Sequence, residues 1–229
     1  MGSGHDPATS LRSGTPPVNT NLLAAPPRRL ALALLAFGWT GIASAFTVSL
    51  TPGTRALYLD VGNGSYSGTY TSGGTPQNNS TINVVSVTVP AAAVGNGVAQ
   101  AMTSNSTQST SYYDGFAFCS PPAQVYVGGF YRQPGLTGTA SLTATAPTSL
   151  TNPSGDTIAF NRISWTSTGA GDTGAEVIPA GTFTGGTQTL ATFGNNSWNE
   201  SCHTFSYANT TTPAAGTYTG RVTYTLSAP

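Results

Sequence analysis

The sequence predicts an all-β fold, an antiparallel β-sandwich of Ig-like or jelly-roll-like type with about ten short strands. Three observations carry this. From Gly216 to Pro229 the chain alternates strictly: Tyr218, Gly220, Val222, Tyr224 and Leu226 take one phase, and Thr217, Thr219, Arg221, Thr223, Thr225 and Ser227 the other. A strand sends successive side chains to opposite faces, so this segment has one apolar and one hydroxyl-rich face. Glycine (28 residues) and proline (16 residues) join abundant Ser, Thr and Asn, the usage of many turns between short strands. Finally, apolar runs of strand length recur between turn signals, and no long helical period competes with them.

The elements follow in chain order. Residues 1–45 read as a leader: Arg28-Arg29, the apolar run Leu30–Phe37, and Ala43-Ser44-Ala45 as a small-x-small cleavage site. Removal would leave residues 46–229 as one secreted domain, with no membrane-spanning run of sufficient length after it. Phe46, Val48 and Leu50 alternate before Pro52-Gly53, and Ala56–Val61 is a strand ending at the turn dipeptide Asn63-Gly64. Tyr66–Tyr70 returns as a strand, and Gly73–Ser80 is a polar turn. Ile82–Val89 is the strongest strand of the first half, with a change of phase at Val84-Val85 and a stop at Pro90. Ala91–Met102 is ambiguous, because Gly95 and Gly97 oppose a helix.

Phe116–Tyr131 gives two strands around Pro121-Pro122. Leu136–Ala146 alternates Leu, Ala and Thr, and Pro147–Gly155 is a turn-rich connection. Thr157–Thr166 is strand-like with a shifted phase. Short strands over Pro179–Phe183 and Gln188–Phe193 precede Trp198–Tyr207, which carries Cys202 between the apolar anchors Trp198, Phe205 and Tyr207. Cys119 and Cys202 are the only cysteines, and in an exported chain they form one disulfide. Closing so long a loop stabilises the fold by about 4 kcal/mol on the entropic account. The two halves of the domain can be two packed sheets or two subdomains.

Composition excludes several functions. Only 6% of residues are charged, the formal net charge is zero, and the chain contains no lysine. Nothing here neutralises a run of phosphates, so nucleic-acid binding is not expected. Past residue 45 there is one histidine, His203, and hence no histidine cluster for a transition metal. A Ser-His-acid relay would have to use His203. Asp172-Thr173-Gly174 spells the aspartic-protease triplet, but the glycine-rich stretch before it reads as a surface turn. Asp172 and Glu176 are too few to define a Ca²⁺ loop. No cofactor or metal is expected, and no enzyme signature is complete.

The most distinctive polar-aromatic cluster is Tyr112-Tyr113-Asp114-Gly115-Phe116. Exposed rings beside an acid stack on and hydrogen-bond a sugar. Trp198, flanked by Asn195, Asn196 and Asn199, is a second candidate of that kind. Tyr112, Tyr113, Asp114 and Trp198 are therefore the candidate ligand-binding residues, although aromatics leading into Cys119 suit a core equally well.

Two stretches carry a family flavour. Pro213–Pro229 resembles the closing strand of bacterial surface β-sandwiches, namely fimbrial subunits of the chaperone–usher type and the cell-wall-binding WxL domains, with Tyr224-Thr225-Leu226 where the latter have Trp-x-Leu. Asp156–Thr166, Ile178–Phe183 and Ser201–Tyr207 resemble stretches of uncharacterised exported proteins of Gram-negative bacteria. The resemblance implies a non-catalytic, exported, fimbria-like or adhesive component at the periplasm, the cell surface or outside the cell. Its partners would be a surface glycan, another surface protein or further copies of itself. A carbohydrate-binding module is the alternative, and a secreted hydrolase the third reading.

Overall fold

A computed structural model of the protein describes residues 48–68, 75–77, 82–172 and 175–229. The expected leader and Phe46 lie outside the described residues, which all fall in one compact unit, Gly41–Pro229. Among them, no helix is long and apolar enough to cross a membrane. The fold is all-β and its strand pairings are antiparallel, apart from one isolated parallel bridge between Tyr131 and Asn195.

The strands are β1 (Val48–Ser49), β2 (Ala56–Val61), β3 (Ser65–Ser67), β4 (Thr75–Gln77), β5 (Val85–Ser86), β6 (Gln100–Ala101), β7 (Thr103–Ser104) and β8 (Val125–Arg132). There follow β9 (Thr139–Thr145), β10 (Ser149–Thr151), β11 (Thr157–Ala159), β12 (Ile163–Thr168), β13 (Gly181–Thr182), β14 (Thr187–Gly194), β15 (Ser197–Tyr207) and β16 (Thr223–Ser227). Two single 3₁₀ turns, Ala91–Ala93 and Phe160–Arg162, are the only helical elements among the described residues.

The larger sheet has the order β13-β12-β15-β8-β2, and β1 and β6 also pair with β15. The smaller sheet is β14-β9-β16. β15 is the spine. Its first half pairs with β8 and β1, its second half with β12 and β6. Residues Ser197–Tyr207 are buried or half-buried throughout, which is why the sequence there reads as a run and not as an alternation.

Between the two sheets lies the main core. Val127 and Tyr131 of β8, Ile163 and Trp165 of β12 and Phe205 and Tyr207 of β15 meet Leu142 and Ala144 of β9 and Phe193 of β14. Leu226 and Tyr224 of β16 pack against the same core, so the alternation read in Gly216–Pro229 is realised over Thr223–Ser227, whereas Gly216–Val222 contributes only an isolated bridge from Thr219 to Thr151. Full burial of each large side chain contributes about 1.5–3 kcal/mol.

The outward face of the smaller sheet is set by register. Thr187, Thr145 and Thr223 stand side by side across β14, β9 and β16; so do Thr189, Thr143 and Thr225, and then Thr192, Ser141 and Ser227. A bulge between Thr189 and Ala191 makes this possible. Leu190 and Ala191 are both buried, so the extra residue returns Thr192 to the outside and Phe193 to the core.

Several expectations need correction. Ile82–Val89 is extended, but only Val85-Ser86 forms a ladder, with β7. The amide of Val84 donates instead to the Asn105 side chain. The change of phase turns Val85, Val87 and Val89 to the core and leaves Ile82 and Val84 exposed. Of the two strands expected in Phe116–Tyr131, only β8 forms. It runs straight through Gly128-Gly129, where a Cβ on Gly129 would meet the Tyr58 carbonyl at 2.1 Å. Gly73–Ser80 holds β4, and the connection Pro147–Gly155 holds β10, paired with β11. The phase shift in Thr157–Thr166 is the turn Phe160–Arg162 between β11 and β12.

Candidate functional site

The outer face of the larger sheet carries the predicted ligand-binding residues. Along β2, β8 and β15, alternate residues share that face: Tyr58 and Asp60, then Tyr126, Gly128 and Phe130, then Trp198 and Glu200. Gly128 is the register partner of Asp60 on one side and of Glu200 on the other. Register partners point the same way, so two carboxyls flank a position without a side chain. The Tyr126 phenol occupies that gap; a Cβ on Gly128 would lie 2.4 Å from its oxygen.

Glu200 is held from three sides. The Tyr126 hydroxyl (2.7 Å), Trp198 Nε1 (2.8 Å) and the Ser111 hydroxyl (2.9 Å) all donate to Oε2. Burial raises the carboxyl above the usual range, and these donors oppose it by favouring the charged form. Asp60, buried where Glu200 is half-buried, accepts from the Tyr58 hydroxyl at 3.1 Å. Burial pushes it up to about 6 against that same hydrogen bond.

Residues 109–119 lie over this face. Ser111 N–H donates to the Phe116 carbonyl, Gly115 N–H to the Ser111 carbonyl, and both Phe118 and Cys119 amides to the Ser109 carbonyl. Gly115 takes the left-handed conformation, φ 79°, that closes the turn. The expected disulfide Cys119–Cys202 is present and bolts this hairpin to β15 at a Cα–Cα distance of 5.5 Å. Phe118 and Tyr126 pack around it.

The four candidates thus have different fates. Trp198 is 1% exposed, stacked with Tyr58 and tilted against Phe130. It is a core residue and not a free platform for a ring. Tyr112 is half-buried. Its hydroxyl donates to the Gly64 carbonyl at 2.8 Å and accepts from the Gly64 amide at 3.0 Å, stitching the hairpin to the turn after β2. Tyr113 is half-buried, 6.1 Å from Trp198 between ring centres. Asp114 is exposed at the tip, where Oδ1 accepts the Phe116 amide at 3.0 Å, and the Phe116 ring beside it is 75% exposed.

Asp60, Tyr126 and Glu200, which complete the cluster, escape a reading based on local clusters. A signal was present: Tyr58-x-Asp60, Tyr126-x-Gly128 and Trp198-x-Glu200 each put an aromatic two positions before an acid or the glycine between the acids.

The opposite face of β15 carries Ser201 and His203. Ser201 Oγ donates to Glu176 at 3.1 Å and accepts the Ile178 amide at 3.4 Å. His203 is fully buried, 5.8 Å from Trp165 in a stacked arrangement, and neither ring nitrogen has a partner among the described residues. Burial pushes it down to about 4. The serine therefore spends its proton on a carboxylate and the imidazole faces a ring, so Ser201 and His203 do not form a Ser-His-acid relay. Burial also raises Asp172 and Glu176, the latter further through the charge of Asp172. Among the described residues no three His, Cys, Asp or Glu side chains converge as metal ligands. Thr173 and Gly174 of the Asp-Thr-Gly triplet lie outside the described residues.

No family model, no curated protein and no solved structure matches this chain.

Proposed function

We propose that the protein is an exported, non-catalytic structural or adhesive module that binds a surface. The observation that carries this reading is the disulfide-bolted hairpin 109–119, which displays Phe116 and Asp114 at its tip over carboxyls already committed to internal donors. A catalytic acid or base needs a free lone pair or proton facing substrate. Glu200 takes three donors on one oxygen, and Glu176 takes the Ser201 hydroxyl. Export is supported by the leader-like residues 1–45, the disulfide and the absence of lysine.

Within this reading, a fimbria-like subunit would associate through strand edges other than β1. That strand pairs with β15 of its own chain, Val48 opposite Trp198, and Leu50 N–H donates to the Asn196 carbonyl. The alternative, a carbohydrate-binding module, rests on the tip residues Tyr113, Asp114 and Phe116.

Size-exclusion chromatography with light scattering on the oxidised protein tests the reading, alongside a sugar array. A ladder of oligomers that grows with concentration supports assembly. A monomer whose array signal disappears in Phe116→Ala supports glycan binding at the tip. A monomer that binds nothing on the array and hydrolyses a glycoside or ester sinks it.

A further inference from the structure

The three-by-three array on the smaller sheet is not what a solvent face requires. Antiparallel sheets commonly expose a polar face, but that face ordinarily mixes charges, amides and hydroxyls. Here every register position in three successive rows is threonine or serine, with no charge, no ring and no longer side chain. Seven of the nine are exposed, and Ser141 and Thr143 on the middle strand are half-buried between their neighbours. The bulge at Leu190 preserves the pattern where simple alternation would have brought Ala191 and then Phe193 to the surface.

Register sets the spacing of the array. Neighbouring strands are ~4.8 Å apart, and alternate residues along β9 and β16 are ~6.7 Å apart; on β14 the bulge carries Thr192 into register with Ser141. β-branching restricts each threonine χ1, so hydroxyl and methyl groups hold regular positions. Cross-strand contacts fix some of them further: the Thr145 and Thr187 hydroxyls are 2.8 Å apart. A neutral, two-dimensionally periodic set of hydroxyls interleaved with methyls matches a ligand that is itself a neutral periodic array of hydrogen-bonding oxygens.

We propose that this face binds ice. The repeats above resemble the oxygen spacings on the surface of crystalline water, and the methyl groups separate the anchored waters without offering competing donors. Other occupants fit less well. A crystalline polysaccharide is gripped through aromatic rings, and none lies in the three rows. A protein partner wants a central aromatic or arginine anchor, also missing from them. The inference rests on the reading of the chain as a surface-binding module, and names the surface. It uses a different face from the Phe116 hairpin, so the two fail separately.

The test is ice-crystal shaping and the gap between melting and freezing points, measured on the oxidised full chain, with partitioning of the protein into slowly growing ice as a second readout. The wild type is expected to facet the crystals, open a gap and enter the ice. Thr143→Tyr, which plants a ring in the middle row, should abolish all three, and Thr143→Val, which removes only a hydroxyl, should narrow the gap. Both variants should keep the wild-type unfolding midpoint, and Phe116→Ala should leave ice binding unchanged. Round crystals and exclusion of the wild type from ice would overturn the proposal, as would an unaltered gap in Thr143→Tyr. Sedimentation with microcrystalline cellulose or chitin, lost in Thr143→Tyr and without ice activity, would overturn it in favour of a polysaccharide.

Discussion

The two outer faces of this sandwich solve the same problem in opposite ways. On the larger sheet the face is aromatic and acidic, and the hairpin 109–119 covers it, tied down by Cys119–Cys202 and by the hydrogen bonds of Ser111 and Tyr112. On the smaller sheet the face is bare and consists of hydroxyls. Covering a face allows large rings and carboxyls to be buried, at the cost of satisfying every polar atom. Leaving it bare demands side chains that tolerate water, and period-two alternation is then enough. The difference teaches how each sheet meets water: the first hides its side chains under a hairpin of its own chain, and the second exposes hydroxyls.

Substitutions sharpen that contrast. Trp198→Ala opens a cavity beneath the hairpin and removes a donor from Glu200; a loss of about 3–5 kcal/mol is expected in denaturant unfolding. Replacing Cys119 and Cys202 together by alanine should cost about 2–4 kcal/mol. The same measurement with and without reductant checks it on the wild type. Tyr126→Phe, which takes one donor from Glu200 and leaves the ring, should cost about 1–3 kcal/mol. On the bare face Thr225→Val should stay within about 0.5 kcal/mol of wild type. A cost there as large as that of Tyr126→Phe would break the comparison.

The pH dependence separates the two faces of the larger sheet. Asp60, on the outer face, rises from 3.8 to about 6 on folding. Its contribution is fully present below pH 3.8 and lost as pH rises through 6. His203, on the inner face, falls from 6.5 to about 4. Its contribution is fully present above pH 6.5 and lost as pH falls through 4. The two slopes oppose each other across nearly the same interval. Relative to wild type, Asp60→Asn should therefore show a more positive slope of stability with pH between about 4 and 6, and His203→Phe a more negative one between about 4 and 6.5, both read from unfolding midpoints across that range. Equal pH profiles for the two variants would refute the assignment.

Much of this organisation was legible along the chain. The second part of the alternation in Gly216–Pro229 appears as β16, Thr223–Ser227, with Tyr224 and Leu226 inward and the hydroxyls outward, and the pairing of the only two cysteines is as expected. What escaped depends on register between distant strands. Nothing local in Tyr58-Leu59-Asp60 or Ser197–Ser201 says that both segments flank Gly128, and so the two acids beside it stayed invisible. Trp198 looked available because three asparagines surround it in sequence. Its ring, however, points to the face that Tyr58 and Phe130 fill, and only the neighbours across the ladder decide that. Ile82–Val89 failed for a related reason: it has the apolar content of a strand, but among the described residues only Thr103-Ser104 pairs with it.

One consequence of β15 concerns the order in which the protein can form. Its partners β1, β6, β8 and β12 are all made before it, and each waits on Ser197–Tyr207 to join the larger sheet's centre. Until that segment emerges, a growing chain can zip β2 to β8 or β12 to β13, but it cannot close the sheet. Contacts so distant in sequence assemble slowly. The chain is therefore built to remain open for most of its synthesis and to lock nearly all at once, when its last quarter arrives.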